Sequence, residues 1–188
     1  MNVQLPVQMD KAAFLAWSQD REGRYELTNG RVVMMVGASR THGLIVRNLV
    51  VLLHGQLDPQ RWVVLSEFGL DLSPQTLRYP DIVVDKAGGK GSDYTTASPA
   101  LLVEVLSPST VKIDLGDKAA EYLRLPSLHA YIVFAQDEPK AWLWNRDAAA
   151  SLAYPAVVVG YDKIIYLKDL QLTLPLGAVY AGAEPDRN

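Results

Sequence analysis

Cysteine is absent from the 188-residue chain. That excludes a disulfide framework, a thiolate metal site and a cysteine nucleophile, and it fits a reducing compartment. No apolar run approaches the roughly 20 residues that a membrane-spanning helix needs. The start, MNVQLPVQMDK, lacks the basic residues and apolar block of a secretory signal. These absences predict a cytoplasmic protein with no membrane partner. An excess of positive charge is missing too. The formal net charge is −3, whereas non-specific nucleic-acid binders are usually basic. An enzyme on nucleic acid needs only a local cationic rim, so the balance leaves that class open. No GxSxG surrounds Ser107 or Ser109, and there is no P-loop, GxGxxG or HExxH. Those gaps set aside nucleophile-elbow hydrolases, P-loop enzymes, dinucleotide folds and zincins.

What is present reads as one globular domain over residues 1–188, with 49% hydrophobic and 21% charged residues. Its core is expected over about 10–170, with a loose tail over about 176–188. Asp10 to Gln19 predicts a capped helix, and Thr41 to Leu57 a second one, capped by Ser39 or Thr41. Between them, Asn29-Gly30 flanked by β-rich runs predicts an N-terminal hairpin. RWVVLSEFGLDL reads as two short strands, YPDIVVD as a strand begun by Pro80, and ALLVEVL as a strand covered on both faces. SPST reads as a turn, Asp114 to Leu125 as a helix, and DKAGGKGSDY as a mobile loop. AYIVFA and KAWLWN read as strands joined at DEP, and VVVG with KIIYL as a final hairpin. Alternating strands and helices predict an α/β or α+β domain with a mixed sheet and helices packed on it.

Two carboxylates stand where this pattern wants apolar residues: Asp81 before Ile82-Val83-Val84, and Glu104 inside Leu101 to Leu106. A lone buried carboxylate is costly unless it is paired, protonated or metal-bound. A divalent cation would reconcile two of them, and magnesium accepts one or two carboxylates with water and phosphate. The competing readings are a salt bridge for Glu104 and a post-proline turn for Asp81. On a 3.6-residue wheel Leu115, Ala119, Tyr122 and Leu123 face inward and Lys118 flanks them. Asp114, Asp117, Glu121 and Arg124 fall outside. Lys118 either reaches the sheet or snorkels from the helix edge. His42 heads a helix where a phosphate can sit, or is a plain exposed histidine. The side to which Glu26 points is open.

Taken in order, RYELTNGRVVMM, a histidine at a helix head, RYPDIVV, LLVEVLSPST, DKAAEYLRL and AYIVF resemble the Uma2 family, also known as domain of unknown function 820. The resemblance runs from about Tyr25 to Asn145, and VEVLSPST is its most specific block. It implies a restriction-endonuclease-like PD-(D/E)xK fold, a mixed β-sheet core flanked by helices. It also implies a magnesium-dependent nuclease, with manganese as substitute ion and DNA as the expected nucleic-acid partner. On it, Asp81 is the motif aspartate, Glu104 the acidic residue of the second element, and the Val105 carbonyl a further metal ligand. Leu106 stands where the superfamily has lysine, and Lys118 on the next helix takes that place. Glu26 and His42 match recurrent family positions, and Tyr122 is expected beside Lys118 in the site. The implied products are a 5′-phosphate and a 3′-hydroxyl.

Two other classes compete: a catalytically silent nucleic-acid- or protein-binding module on the same fold, and a small-molecule hydrolase, for which no triad is present. Tyr131, Trp142, Trp144, Tyr154, Tyr161 and Tyr166 exceed what one sheet face must bury, which points to a homodimer. Aromatic residues are also simply good strand formers.

Overall fold

Asn29 and Gly30 form the tip of the first hairpin with φ of 49° and 78°. Two successive positive φ values give the primed turn whose twist matches the strands it joins. It connects β1 (Tyr25–Thr28) to β2 (Arg31–Met34). The computed structural model describes residues 8–35, 37–106, 113–146 and 153–183. Helix α1 (Lys11–Gln19) is capped by Asp10, which accepts from the Ala13 N–H. Helix α2 (Arg40–Gln56) is capped by Ser39, which accepts from the His42 N–H. Each cap satisfies a donor that the first helical turn leaves without an intrahelical partner.

The strands that follow are β3 (Trp62–Ser66), β4 (Gly69–Ser73), β5 (Thr76–Arg78), β6 (Ile82–Lys86), β7 (Thr95–Thr96) and β8 (Leu101–Val105). A π-helical turn over Ile113–Lys118 then runs into α3 (Ala119–Tyr122). Strands β9 (Ala130–Phe134), β10 (Lys140–Asn145), β11 (Ala156–Val159), β12 (Ile164–Leu167) and β13 (Leu172–Pro175) precede α4 (Leu176–Val179).

Among the described residues these strands make a six-stranded sheet ordered β11-β10-β9-β8-β6-β3, a five-stranded sheet ordered β2-β1-β5-β4-β7, and a β12-β13 pair. The larger sheet is mixed: β8 and β9 are parallel, the other neighbours antiparallel. Every residue of β8 is buried, as its continuous apolar run predicts. On one face Leu101, Val103 and Val105 join Ile45, Leu49 and Leu53 of α2. On the other, Leu102 and Val83 join Tyr131, Ala119 and Tyr122. The smaller sheet packs Leu27 and Leu77 with Phe14 of α1. Its opposite side turns Glu26 and Arg78 toward α3.

Several expectations need correction. VVVG and KIIYL do not form a hairpin: β11 pairs with β10, and β12 with β13. Exposed Val157 and Val159 gave no sign of which neighbour the strand would choose. Residues 176–183 are not a loose tail, because Leu176, Val179, Tyr180 and Ala183 are buried. Asn48, polar on an otherwise apolar helix face, ties them down. Its Nδ2 donates to the carbonyls of Val179 and Ala181 at 2.9 Å each. The Tyr180 hydroxyl lies 2.8 Å from the carbonyls of Ala135 and Lys140. The helix expected over Asp114 to Leu125 starts as a π-turn and ends at Tyr122. The SPST turn lies outside the described residues. Tyr131 and Trp144 are buried rather than left over at the surface, whereas Tyr154, Tyr161 and Tyr166 are exposed.

Asn48→Ala leaves the buried carbonyl of Val179, and that of Ala181 nearer the surface, without their donor. It should cost about 1–3 kcal/mol in urea denaturation and bring early protease cleavage at residues 176–183. Cleavage confined to other segments would show that Asn48 does not anchor this end.

Candidate active site

Register brings the two strand carboxylates together. Ile82 pairs with Val103 across the antiparallel β6–β8 ladder. Carried one residue further, the register sets Asp81 across from Glu104. Alternation puts both on the face of Val83 and Leu102, beneath α3. Side chains directly opposite in such a pair lie about 5 Å apart at Cβ, where like charges destabilise each other. Asp81 Oδ2 accepts from the Val105 N–H at 2.7 Å and lies 3.2 Å from His42 Nε2. His42 is held there by its helix: Ser39 caps α2 and also bonds Gln136, whose Nε2 donates to the Leu106 carbonyl at 2.9 Å.

Lys118 enters from above. Its Nζ is 2.8 Å from Glu104 Oε1, 3.0 Å from Asp114 Oδ1 and 3.8 Å from Glu26 Oε1. The Tyr122 hydroxyl donates to Glu104 Oε1 at 3.2 Å. Edge-to-face packing on Tyr131, with ring centroids 5.1 Å apart, holds the Tyr122 ring. Arg78 completes the network. It donates to Glu26 Oε2 at 3.2 Å and to Thr28 Oγ1 at 2.7 Å, and it grips Glu121 through two bonds of 3.0 Å. The Tyr79 N–H donates to the other Glu26 oxygen at 3.2 Å.

Five carboxylates therefore share two permanent cations and one histidine. Burial raises the proton affinity of Glu104. Lys118 opposes this, Asp81 and Asp114 add to it, and the Glu104 carboxyl ends well above the usual carboxylate range. Burial alone would lower Lys118, but Glu104, Glu26 and Asp114 outweigh it and hold the ammonium charged. Burial, and then the charge of Glu104, keeps the Tyr122 and Tyr131 phenols protonated. Solvent reaches the site on the side of Asp81 and His42, whose side chains are 14% and 13% exposed.

Asp81 and Glu104 are the pair whose repulsion a divalent cation would relieve. Both described hydrogen bonds of Asp81 go to Oδ2 and both of Glu104 go to Oε1, so Oδ1 and Oε2 take none from the described residues. Among the described residues no three His, Cys, Asp or Glu side chains are placed to share one ion. Two carboxylates completed by water and substrate suit magnesium, not a closed zinc site.

Asp81, Glu104, Lys118, Glu26, His42 and Tyr122 thus all meet in one connected cluster. Lys118 does not snorkel, Glu26 points inward, and His42 contacts Asp81. Two residues placed outside the inward face belong to the cluster. Asp114 is buried, because a π-turn rotates less per residue than the 3.6-residue wheel assumes. Glu121 is turned in by Arg78. Arg78 was not singled out from sequence. Its signal is a cation one residue beyond Leu77, which the fold sets opposite Leu27, so that it faces Glu26.

The mixed sheet, its helices and this cluster define a restriction-endonuclease-like α+β fold. A crystal structure described as "a putative nuclease belonging to DUF820", from Anabaena variabilis ATCC 29413, superposes with a TM-score of 0.76. It is 15% identical, and the match covers 93% of this chain and 99% of that one. The family model Uma2, described as "Putative restriction endonuclease", matches residues 12–177. The chain belongs to that family. Two proteins of Synechocystis sp. PCC 6803 are similar to it. One, "Uncharacterized protein slr1290", is 26% identical over 175 residues, 90% of each chain. The other, "Uncharacterized protein sll1609", is 28% identical over 130 residues, 66% of this chain and 73% of that one.

Lys118→Ala strips the cation from three buried carboxylates and should cost about 3–5 kcal/mol in chemical denaturation. Glu104→Gln keeps an acceptor for Lys118 and Tyr122 without the charge. Its unfolding midpoint in EDTA should equal or exceed that of the wild type. A large loss in Glu104→Gln would mean that the ionised carboxylate stabilises the fold.

Proposed function

We propose that this chain is a magnesium-dependent endonuclease, acting on DNA in the cytoplasm, with Asp81, Glu104 and Lys118 as its catalytic residues. The observation that carries the reading is the meeting of these three side chains, distant in sequence, at one cluster edge. Family membership and the nuclease description of the structural relative support it.

Asp81 and Glu104 would hold the ion, with manganese as a substitute. The Val105 carbonyl is a further ligand in this reading. In an extended strand one residue's N–H and C=O leave on the same side, and the Val105 N–H already points at Asp81. A bound magnesium ion would polarise the scissile phosphate and acidify a water molecule. Lys118, kept charged by its acidic neighbours, donates to the attacking water or to charge developing on phosphorus. Tyr122 fixes the oxygen of Glu104 that faces Lys118. His42 holds Asp81 and, at a helix N-terminus on the open side, meets the phosphate first. Glu26 steadies Lys118 from the smaller sheet. Hydrolysis would leave a 5′-phosphate and a 3′-hydroxyl.

A second copy of the chain is the partner that suits the exposed apolar side chains of Val157, Val159, Tyr161, Ile164 and Tyr166. A monomer in sedimentation at high micromolar concentration would remove that part of the reading.

Supercoiled plasmid should be nicked with magnesium or manganese and left intact in EDTA. Asp81→Ala and Glu104→Gln should each lower nicking by about a hundredfold or more while circular dichroism stays native. Undiminished nicking by either folded variant would refute the assignment. An inert wild type that still binds DNA would favour a silent binding module.

A further inference from the structure

Glu104 has an acidic neighbour on one side and a basic one on the other. Toward Asp81 it faces a second carboxylate on the next strand. Toward α3 it faces Lys118, whose Nζ also meets Asp114 and Glu26. Two-metal nucleases place their ions about 3.5–4 Å apart around shared carboxylates. In this chain the carboxylates that a second ion would need are Glu26 and Asp114, both buried. Both are already turned on the ammonium. Asp114 Oδ1 lies 3.0 Å from Nζ and accepts no hydrogen bond among the described residues. It faces the ammonium as an anion faces a bare cation. Glu26 is fixed from its far side by Arg78 and the Tyr79 N–H, so its reach toward the centre is set by the smaller sheet.

We propose that the Lys118 ammonium occupies the place of a second cation, so that the site takes one divalent ion and no more. This rests on the reading of Asp81 and Glu104 as the ion-binding pair. A lysine there supplies one positive charge permanently and needs no second binding event. It confines metal dependence to the Asp81 side, where solvent enters. Glu26 and Asp114 are then positioning residues for Lys118, not metal ligands.

Manganese alone is the probe, titrated into the full chain without nucleic acid and counted by loss of the free-ion electron paramagnetic resonance signal. The wild type should bind one ion. Glu26→Gln and Asp114→Asn should each still bind one, and Glu104→Gln none. Lys118→Met, with three acids left facing each other, should bind two, and its melting temperature should rise with manganese. Two ions on the wild type, a lost ion in Glu26→Gln or Asp114→Asn, or a single ion on folded Lys118→Met would each overturn the proposal. If Lys118→Met does not fold, the wild type and the two acid variants decide it. No ion on the wild type would remove the magnesium reading itself and this inference with it, whereas two ions would remove the inference alone.

Discussion

The contact between Lys118 and Glu104 is the one on which the rest depends. Glu104 belongs to one of the two middle strands of the larger sheet, and Glu26 to the smaller sheet. Lys118 touches both from the helix between them. Arg78 repeats the pattern one step away, joining Glu26 to Glu121 of the same helix. Charge thus performs at this seam what apolar packing performs on the far face of the larger sheet. Such a seam is sensitive to geometry. Buried ion pairs offset their desolvation only when nearly every lone pair and proton finds a partner. Here most do, through Tyr122, Thr28 and the Tyr79 N–H.

The seam also explains how a strongly acidic cluster can sit inside a stable fold. Its excess charge is not spread evenly. Glu26 and Glu121 share Arg78, while Glu104, Asp114 and Glu26 share Lys118. Among the described residues Asp81 is the acid of the cluster with no lysine or arginine beside it, only His42, and it lies on the open side. The repulsion between Asp81 and Glu104 therefore falls on the side where Asp81 and His42 meet solvent. A cluster neutralised throughout would pack equally well and have no reason to bind an ion.

Much of this was legible in the residues themselves. Local signals carried the elements: Asn29-Gly30 for the first hairpin, Asp10 and Ser39 for the caps, and an unbroken apolar run for β8. The chemistry was legible as violation, since Asp81 and Glu104 broke patterns that their neighbours kept. Partners that depend on distant pairing were hidden. Arg78 lies in a three-residue strand whose place beside β1 no local pattern announces. Strands β11 and β12 looked like a hairpin because each is a short run rich in β-branched residues and a glycine lies between them. Their true neighbours are decided by which edges the larger sheet leaves free. The C-terminal segment looked loose because only Asn48, far away in sequence, shows that its carbonyls have donors.

The π-turn before α3 has a bearing on ancestry and engineering. Such a turn is what results when one residue is inserted into an α-helix whose two ends stay anchored. The anchors are visible: the Asp114 carbonyl accepts from the Tyr131 hydroxyl, and Tyr122 is locked under Glu104. Deleting a single residue at exposed Gly116 or Asp117 would restore ordinary helical phase, remove no buried side chain, and still pull Asp114 and Lys118 out of step. A relative of the same length class that lacks that residue would share the fold while having to find its cation elsewhere.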